Sequence, residues 1–148
     1  MKPLLILLTS FILVLAVLFF SDNIDSYKLA GNISMAIMLI FTAIGHFAFP
    51  KGMTMMLPPS FPAKYFWVYG TGIIELAAAA GLLIPSLRHI TAILLIIFFI
   101  LILPANIYAA VRRVDYQKAT YNGPGTNYLW FRIPMQALLI LWVYFFSF

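Results

Sequence analysis

Five long apolar runs decide what this chain can become. They are Pro3–Phe20, Leu29–Phe49, Tyr65–Ile84, Ile90–Val111 and Tyr128–Phe148, and they take up most of the 148 residues. Each is near the roughly 20 residues that a helix needs to cross a bilayer. The runs are continuous rather than alternating, which excludes barrel strands. Backbone groups in lipid must be paired within their own segment, so helices remain. The chain is 64% apolar and 9% charged, against roughly 45–50% and 25% in soluble domains. A water-soluble monomer of this length cannot bury so many large apolar side chains. The expected fold is an all-α membrane protein: a four-helix transmembrane bundle over residues 29–148, preceded by one extra N-terminal transmembrane helix and its loop over residues 1–28.

The first run resembles a secretory signal only in part. It starts after Lys2, but it ends in Ala-Val-Leu-Phe-Phe-Ser-Asp, with bulky residues where a cleavage site needs small ones. It is read as a retained span.

Charge orients the chain. Lys+Arg number nine and Asp+Glu four, for a net charge of +5. No basic run exceeds Arg112-Arg113, so nucleic acid is not an expected partner, since phosphate binding needs clustered charge. An inside N-terminus places Lys2, Lys51, Lys64, Arg112, Arg113, Lys118 and Arg132 on the cytoplasmic side and only Lys28 and Arg88 outside. That split follows the positive-inside rule. It predicts a multi-pass protein of the inner (cytoplasmic) membrane, N-terminus inside and C-terminus outside, with Asp22 and Asp25 in the first external loop.

Two longer loops fall on the cytoplasmic side. Pro50–Lys64 is too apolar for a solvated loop and too Pro-rich for a helix across its second half. It is read either as an interfacial cover over the bundle or as a surface connector whose Met residues touch lipid. Arg112–Asn127 carries the turn sequence Tyr-Asn-Gly-Pro-Gly-Thr-Asn-Tyr, without the strand and Lys-Ser/Thr that a phosphate-cradling loop needs.

Ionisable groups inside a membrane helix are costly, so each needs a reason. Glu75 sits near the middle of the third run, with no Lys or Arg on its helix face within a turn. It must face the bundle interior, where burial favours the neutral acid unless a cation pairs with it. It is a candidate proton acceptor, substrate anchor or partner for Arg132, or else a protonated acid that bonds a neighbouring helix. His46, one turn after Thr42, is a second candidate, or an interfacial His bonded to a carbonyl. Asn106 follows Pro104, which can kink its helix and free a carbonyl for Asn106 to satisfy. Arg132 and Gln136 are four apart and share a face, and Pro134 between them marks a candidate helix start. Arg132 read alone snorkels to phosphates.

The depths of these five residues suggest one site. His46, Asn106 and Arg132 lie roughly 6–8 Å from the cytoplasmic ends of their runs, Gln136 about 12 Å and Glu75 about 15 Å. The external half reads as nearly featureless. A polar ladder that stops at Glu75 predicts a dead-end cavity open to the cytoplasm, not a channel. Trp67, Tyr69, Tyr108 and Trp130 are candidates to line it, or members of the interfacial aromatic belt. Gly70, Gly72, Ala77–Ala80 and Gly81 are expected to let helices approach closely around Glu75. A haem held by His46 and His89 is rejected because they lie at opposite ends of the membrane. One Glu is too few for a di-iron site, and no metal site is expected.

Several short motifs then fall in order. Gly45-His46-Phe47 with Pro50, Leu57-Pro58, Gly72-x-x-Glu75, Gly81-Leu82-Leu83-x-Pro85 and Pro104-Ala105-Asn106 resemble the DoxX-like membrane proteins across about residues 33–146. The resemblance implies a four-helix membrane bundle associated with quinone-linked redox complexes, with His46, Glu75 and Asn106 at family-like positions. The span Pro3–Phe20 is additional to that pattern.

The reading that combines these features is a membrane subunit of a quinone-linked oxidoreductase system. His46 and Glu75 would be the catalytic pair that exchanges protons. Asn106, Arg132, Gln136, Tyr69 and Tyr108 would bind a quinone or similar small molecule. No covalently bound cofactor and no haem are expected. The partners would be the lipid bilayer and a redox protein or a second copy of the chain. A non-catalytic assembly protein and a lipid-modifying isomerase are the alternatives.

Overall fold

The computed structural model describes residues 2–18 and 26–148. Six α-helices follow in order: α1 (Lys2–Leu18), α2 (Ser26–Ala48), α3 (Pro50–Thr54), α4 (Lys64–Leu83), α5 (Pro85–Val111) and α6 (Leu129–Ser147), the last entered through a 3-10 turn, Gly125–Tyr128. Helices α2, α4, α5 and α6 close a ring in which each packs on the next and α6 returns to α2. Helix α2 is the most enclosed, with half of its apolar window buried against 22% for the span that contains α6.

Each of the four carries a stripe of buried residues at helical spacing. On α4 it is Val68, Gly72, Glu75, Ala79 and Leu82, on α5 Leu95, Phe99 and Asn106, and on α6 Gln136, Leu139, Val143 and Ser147. Met35, Leu39, Leu82, Leu95, Phe99, Leu139 and Val143 meet in one core. The outer faces are as apolar as the inner ones: Leu101 is 71% exposed and Phe66 70%. Contiguous apolar exposure on this scale is a surface made for lipid. The four helices are long and apolar enough to cross a membrane, and the chain is an all-helical, multi-span membrane protein.

Helix α1 lies against α2 and reaches α6, where Phe11 packs on Trp142 and Phe146 with ring centroids 5.0 and 5.3 Å apart. Leu7 is fully buried in the common core. The 17 described residues of α1 rise about 26 Å, short of a hydrocarbon core of about 30 Å, so the helix is not established as a fifth span. Phe19, Phe20, Asp22 and Asp25, assigned from sequence to the end of the first run and its loop, lie outside the described residues.

Two boundaries differ from expectation. Helix α5 starts at Pro85, five residues before Ile90. Proline suits the first helical turn, where no intrahelical N–H bond is lost, and the polar Ser86, Arg88 and His89 ride on that turn. Pro134 does not begin α6. It is the sixth residue of the helix, and the preceding 3-10 turn extends the helical path further back.

The segment after α2 forms the short α3 and then turns, so only its Pro-rich second half is irregular, as expected. It packs against the loop between α5 and α6. Gly52 of α3 is buried beneath the Tyr116 carbonyl, with no space for a Cβ, and Phe49 packs edge-on against the Tyr116 ring. The opposing loop is tied by paired Asp115 and Thr120 backbones, with Asp115 Oδ1 accepting the N–H groups of Gln117 and Lys118.

Candidate functional site

The covered end of the bundle holds His46 and Glu75, brought together by the packing of α2 on α4. Glu75 is 5% exposed. His46 Nε2 lies 3.7 Å from Glu75 Oε2. Glu75 therefore faces His46, not Arg132, which answers the choice of partner left open by the sequence. The approach depends on Gly72, one turn before Glu75 on the same stripe. A Cβ there would fall 2.9 Å from the His46 Cβ.

The histidine's other nitrogen fixes its tautomer. Nδ1 lies 2.9 Å from the Val68 carbonyl oxygen, which only accepts. Nδ1 must therefore carry the hydrogen and donate it. Thr71 Oγ1, 3.1 Å from the same nitrogen, accepts from it while its own hydroxyl donates to the Trp67 carbonyl at 2.9 Å. With Nδ1–H fixed, Nε2 of the neutral ring offers a lone pair toward the carboxyl group. One proton then serves both groups. On the carboxyl it gives two neutral groups, and on Nε2 an imidazolium beside a carboxylate. Neither arrangement leaves net charge in the helix interior. The 3.7 Å gap exceeds hydrogen-bond length, and Glu75 Oε2 is buried without a hydrogen-bond partner.

Asn106, Arg132 and Gln136 lie between α5 and α6. Arg132 Nη2 donates to Asn106 Oδ1 at 2.6 Å, and the Arg132 guanidinium lies 5.9 Å from the Tyr128 ring centroid. Asn106 thus serves Arg132 and not a carbonyl freed by Pro104. Gln136 Nε2 donates to the Phe99 carbonyl at 2.7 Å, one residue before Ile100, whose carbonyl loses its helical N–H partner at Pro104. Of the five ladder residues, His46 and Glu75 meet across α2 and α4, Asn106 and Arg132 meet across α5 and α6, and Glu75, Asn106 and Gln136 are all buried within the bundle.

Tyr69 is exposed and stacks on Phe47 at 5.8 Å and Tyr65 at 6.4 Å. Tyr108 lies 5.7 Å beneath the Arg112 guanidinium. Trp130 is 87% exposed. Of the small residues expected to admit close approach, Gly72 meets His46 and Gly81 meets Thr91, whereas Gly70 has nothing within 4 Å.

One polar cluster escaped the sequence reading, at the end that reads as featureless. Asn32 is 1% exposed. Its Nδ2 donates to the Lys28 and Phe146 carbonyls, each at 2.8 Å, and its Oδ1 accepts from Ser147 Oγ at 2.7 Å. Trp142 Nε1 donates to the Gly31 carbonyl at 3.1 Å. These bonds pin the last turn of α6 to the first turns of α2. The available signal was a polar Asn32 and Ser147 at equal depth on their spans, but each alone reads as an interfacial residue.

No curated protein and no solved structure matches the chain. A family model does, over residues 35–147, and its description is a domain of unknown function, DUF8561, rather than the DoxX-like family. The match covers the core of α2 and all of α3 to α6, the helices that carry His46, Glu75, Asn106 and Arg132, and the chain belongs to the DUF8561 family.

Proposed function

We propose that this chain is a membrane subunit of a quinone-linked redox system and that His46 and Glu75 form its proton-exchanging pair. The observation that supports this reading is the buried carboxyl group facing a histidine whose other nitrogen is held as a donor by Val68. General acid–base work needs two such groups near contact with a proton to pass between them. A purely structural contact between α2 and α4 needs neither a titratable carboxyl nor a fixed tautomer. The motif resemblance to DoxX-like proteins points the same way. The substrate-side expectation is a quinone or similar small molecule entering from the covered end, which the basic-residue split places in the cytoplasm. The redox partner protein, the inner membrane and a fifth span formed by α1 belong to the same proposal.

Complementation of a strain lacking the protein tests the pair. Glu75→Gln is expected to remain folded and membrane-inserted and to lose the cellular activity, because an amide keeps the shape but does not titrate. His46→Gln is expected to act in the same direction and less severely. Membrane abundance and thermal stability are measured in parallel. Full complementation by Glu75→Gln at wild-type abundance favours a non-catalytic assembly role. Extraction of the detergent-purified protein, with identification of co-purifying isoprenoid quinone, tests the substrate class.

A further inference from the structure

We infer that Arg132 and Asn106 form an oxyanion site at the α5–α6 junction, occupied by a phosphate group. The hydrogen-bond inventory carries the argument. Arg132 has only donors, so Asn106 must turn its Oδ1 toward the guanidinium, and the observed bond is 2.6 Å. Flipping the amide would set donor against donor. This leaves Asn106 Nδ2 as a donor in a residue that is 5% exposed, and it has no hydrogen-bond partner. Arg132 Nε is also buried and also without a partner. Two unfilled donors on adjacent bonded side chains, one of them charged, ask for an acceptor.

Charge decides what kind of acceptor. Among the described residues, no carboxylate faces Arg132. The one ion contact of Glu75 among these residues is with His46, at 3.7 Å, and Asp115 Oδ1 caps the N–H groups of Gln117 and Lys118. Tyr128 offers its ring face, which attracts the cation but supplies no oxygen to Nε. A neutral carbonyl would fill one donor and leave the charge uncompensated, whereas an oxyanion fills several donors and neutralises it. The location suits phosphate. Arg132 is three residues into α6, about 5 Å along its axis, and the exposed Trp130 marks the depth of the lipid interface. A lipid headgroup phosphate and a free phosphate share this chemistry.

Thermal unfolding of the full chain in a neutral maltoside detergent distinguishes the sources. Inorganic phosphate is titrated in one arm and phosphatidylglycerol in mixed micelles in another, with uncharged diacylglycerol as control. At saturation the responsive anion is expected to raise the unfolding midpoint of the wild type by about 3 °C or more. A response to phosphatidylglycerol alone assigns a lipid headgroup, and a response to inorganic phosphate assigns a soluble oxyanion. Arg132→Gln is expected to abolish the response. Asn106→Asp keeps the experiment decisive if Arg132→Gln does not fold, because it supplies an internal carboxylate. This variant is expected to lose the response and to unfold, without added anion, at least as high as the phosphate-loaded wild type. The proposal is overturned if neither anion shifts the wild type beyond the diacylglycerol control, or if Asn106→Asp responds as the wild type does. Neither result depends on Glu75 or His46, so the proposed redox role stands or fails separately.

Discussion

Gly72 and His46 lie so close that a single added carbon at position 72 would sit 2.9 Å from the His46 Cβ and 3.2 Å from Phe47 Cε2. The exposed Phe47 ring can turn aside, but the His46 Cβ is fixed to the α2 backbone and cannot yield without moving the helix. Gly72→Ala gains about 1 kcal/mol of helix propensity and loses about 1–3 kcal/mol to overpacking. The expected net result is a loss of up to about 2 kcal/mol, read as a lowered unfolding midpoint in detergent. Gly70→Ala is the control, since nothing lies within 4 Å of its added Cβ, and it is expected to be neutral or to stabilise by up to about 1 kcal/mol. Equal effects at the two positions would show that close approach at Gly72 does not hold α2 against α4.

Gln136 gives a second prediction. Its amide donates to the Phe99 carbonyl within a buried part of α5, one residue before Ile100, whose carbonyl cannot find an N–H at Pro104. Gln136→Leu preserves volume but leaves the Phe99 carbonyl without this donor. The expected cost is about 1 kcal/mol, the scale of interhelical hydrogen bonds in membranes. Thermal unfolding measures it, and a variant as stable as the wild type would remove Gln136 from the support of the α5 kink.

The Asn32 cluster gives a third. Asn32→Leu removes the donor to the Phe146 carbonyl and the acceptor of the Ser147 hydroxyl together. Each buried group left unpaired costs about 1–3 kcal/mol. The last turn of α6 is expected to exchange its amide hydrogens faster in this variant, while α4 is unchanged. Ser147→Ala, which removes only one bond, is expected to show a smaller effect in the same place.

The legible part of this chain is what a one-dimensional apolar pattern encodes. The runs Tyr65–Ile84 and Tyr128–Phe148 fall within one residue of α4 and α6, because a membrane span must be long, apolar and internally bonded. The start of α5 was not legible, since Ser86, Arg88 and His89 read as loop although Pro85 suits a helix start. Glu75 and His46 stood out as polar residues in apolar helices. They were read together as a catalytic pair, but which face of α2 meets α4 was not visible, and the 3.7 Å approach rests on that face and on Gly72. Asn106 and Arg132 stood out by residue type and depth. Depth along the axis does not report the angle around the bundle, so the bond between them across α5 and α6 was not visible in the sequence.

The tautomer of His46 is the fourth prediction and the most direct check on the candidate site. The Val68 carbonyl, 2.9 Å from Nδ1, holds a hydrogen on that nitrogen in both arrangements of the pair. Nitrogen NMR of selectively labelled His46 in lipid is therefore expected to show Nδ1 protonated in the wild type, in Glu75→Gln and in Glu75→Leu. Nε2 is expected to respond to the partner. Glu75→Leu removes the proton source and leaves Nε2 an unbonded lone pair, so its signal should shift while that of Nδ1 stays. Thr71→Val removes the hydroxyl that shares Nδ1–H but keeps the Val68 bond, and it is expected to preserve the tautomer. A wild-type spectrum with Nδ1 unprotonated would reverse the roles of the two nitrogens. Nε2 would then be the hydrogen-bearing nitrogen, with no lone pair to receive a proton from Glu75, and the pair would lose the property on which its proton-exchanging role rests.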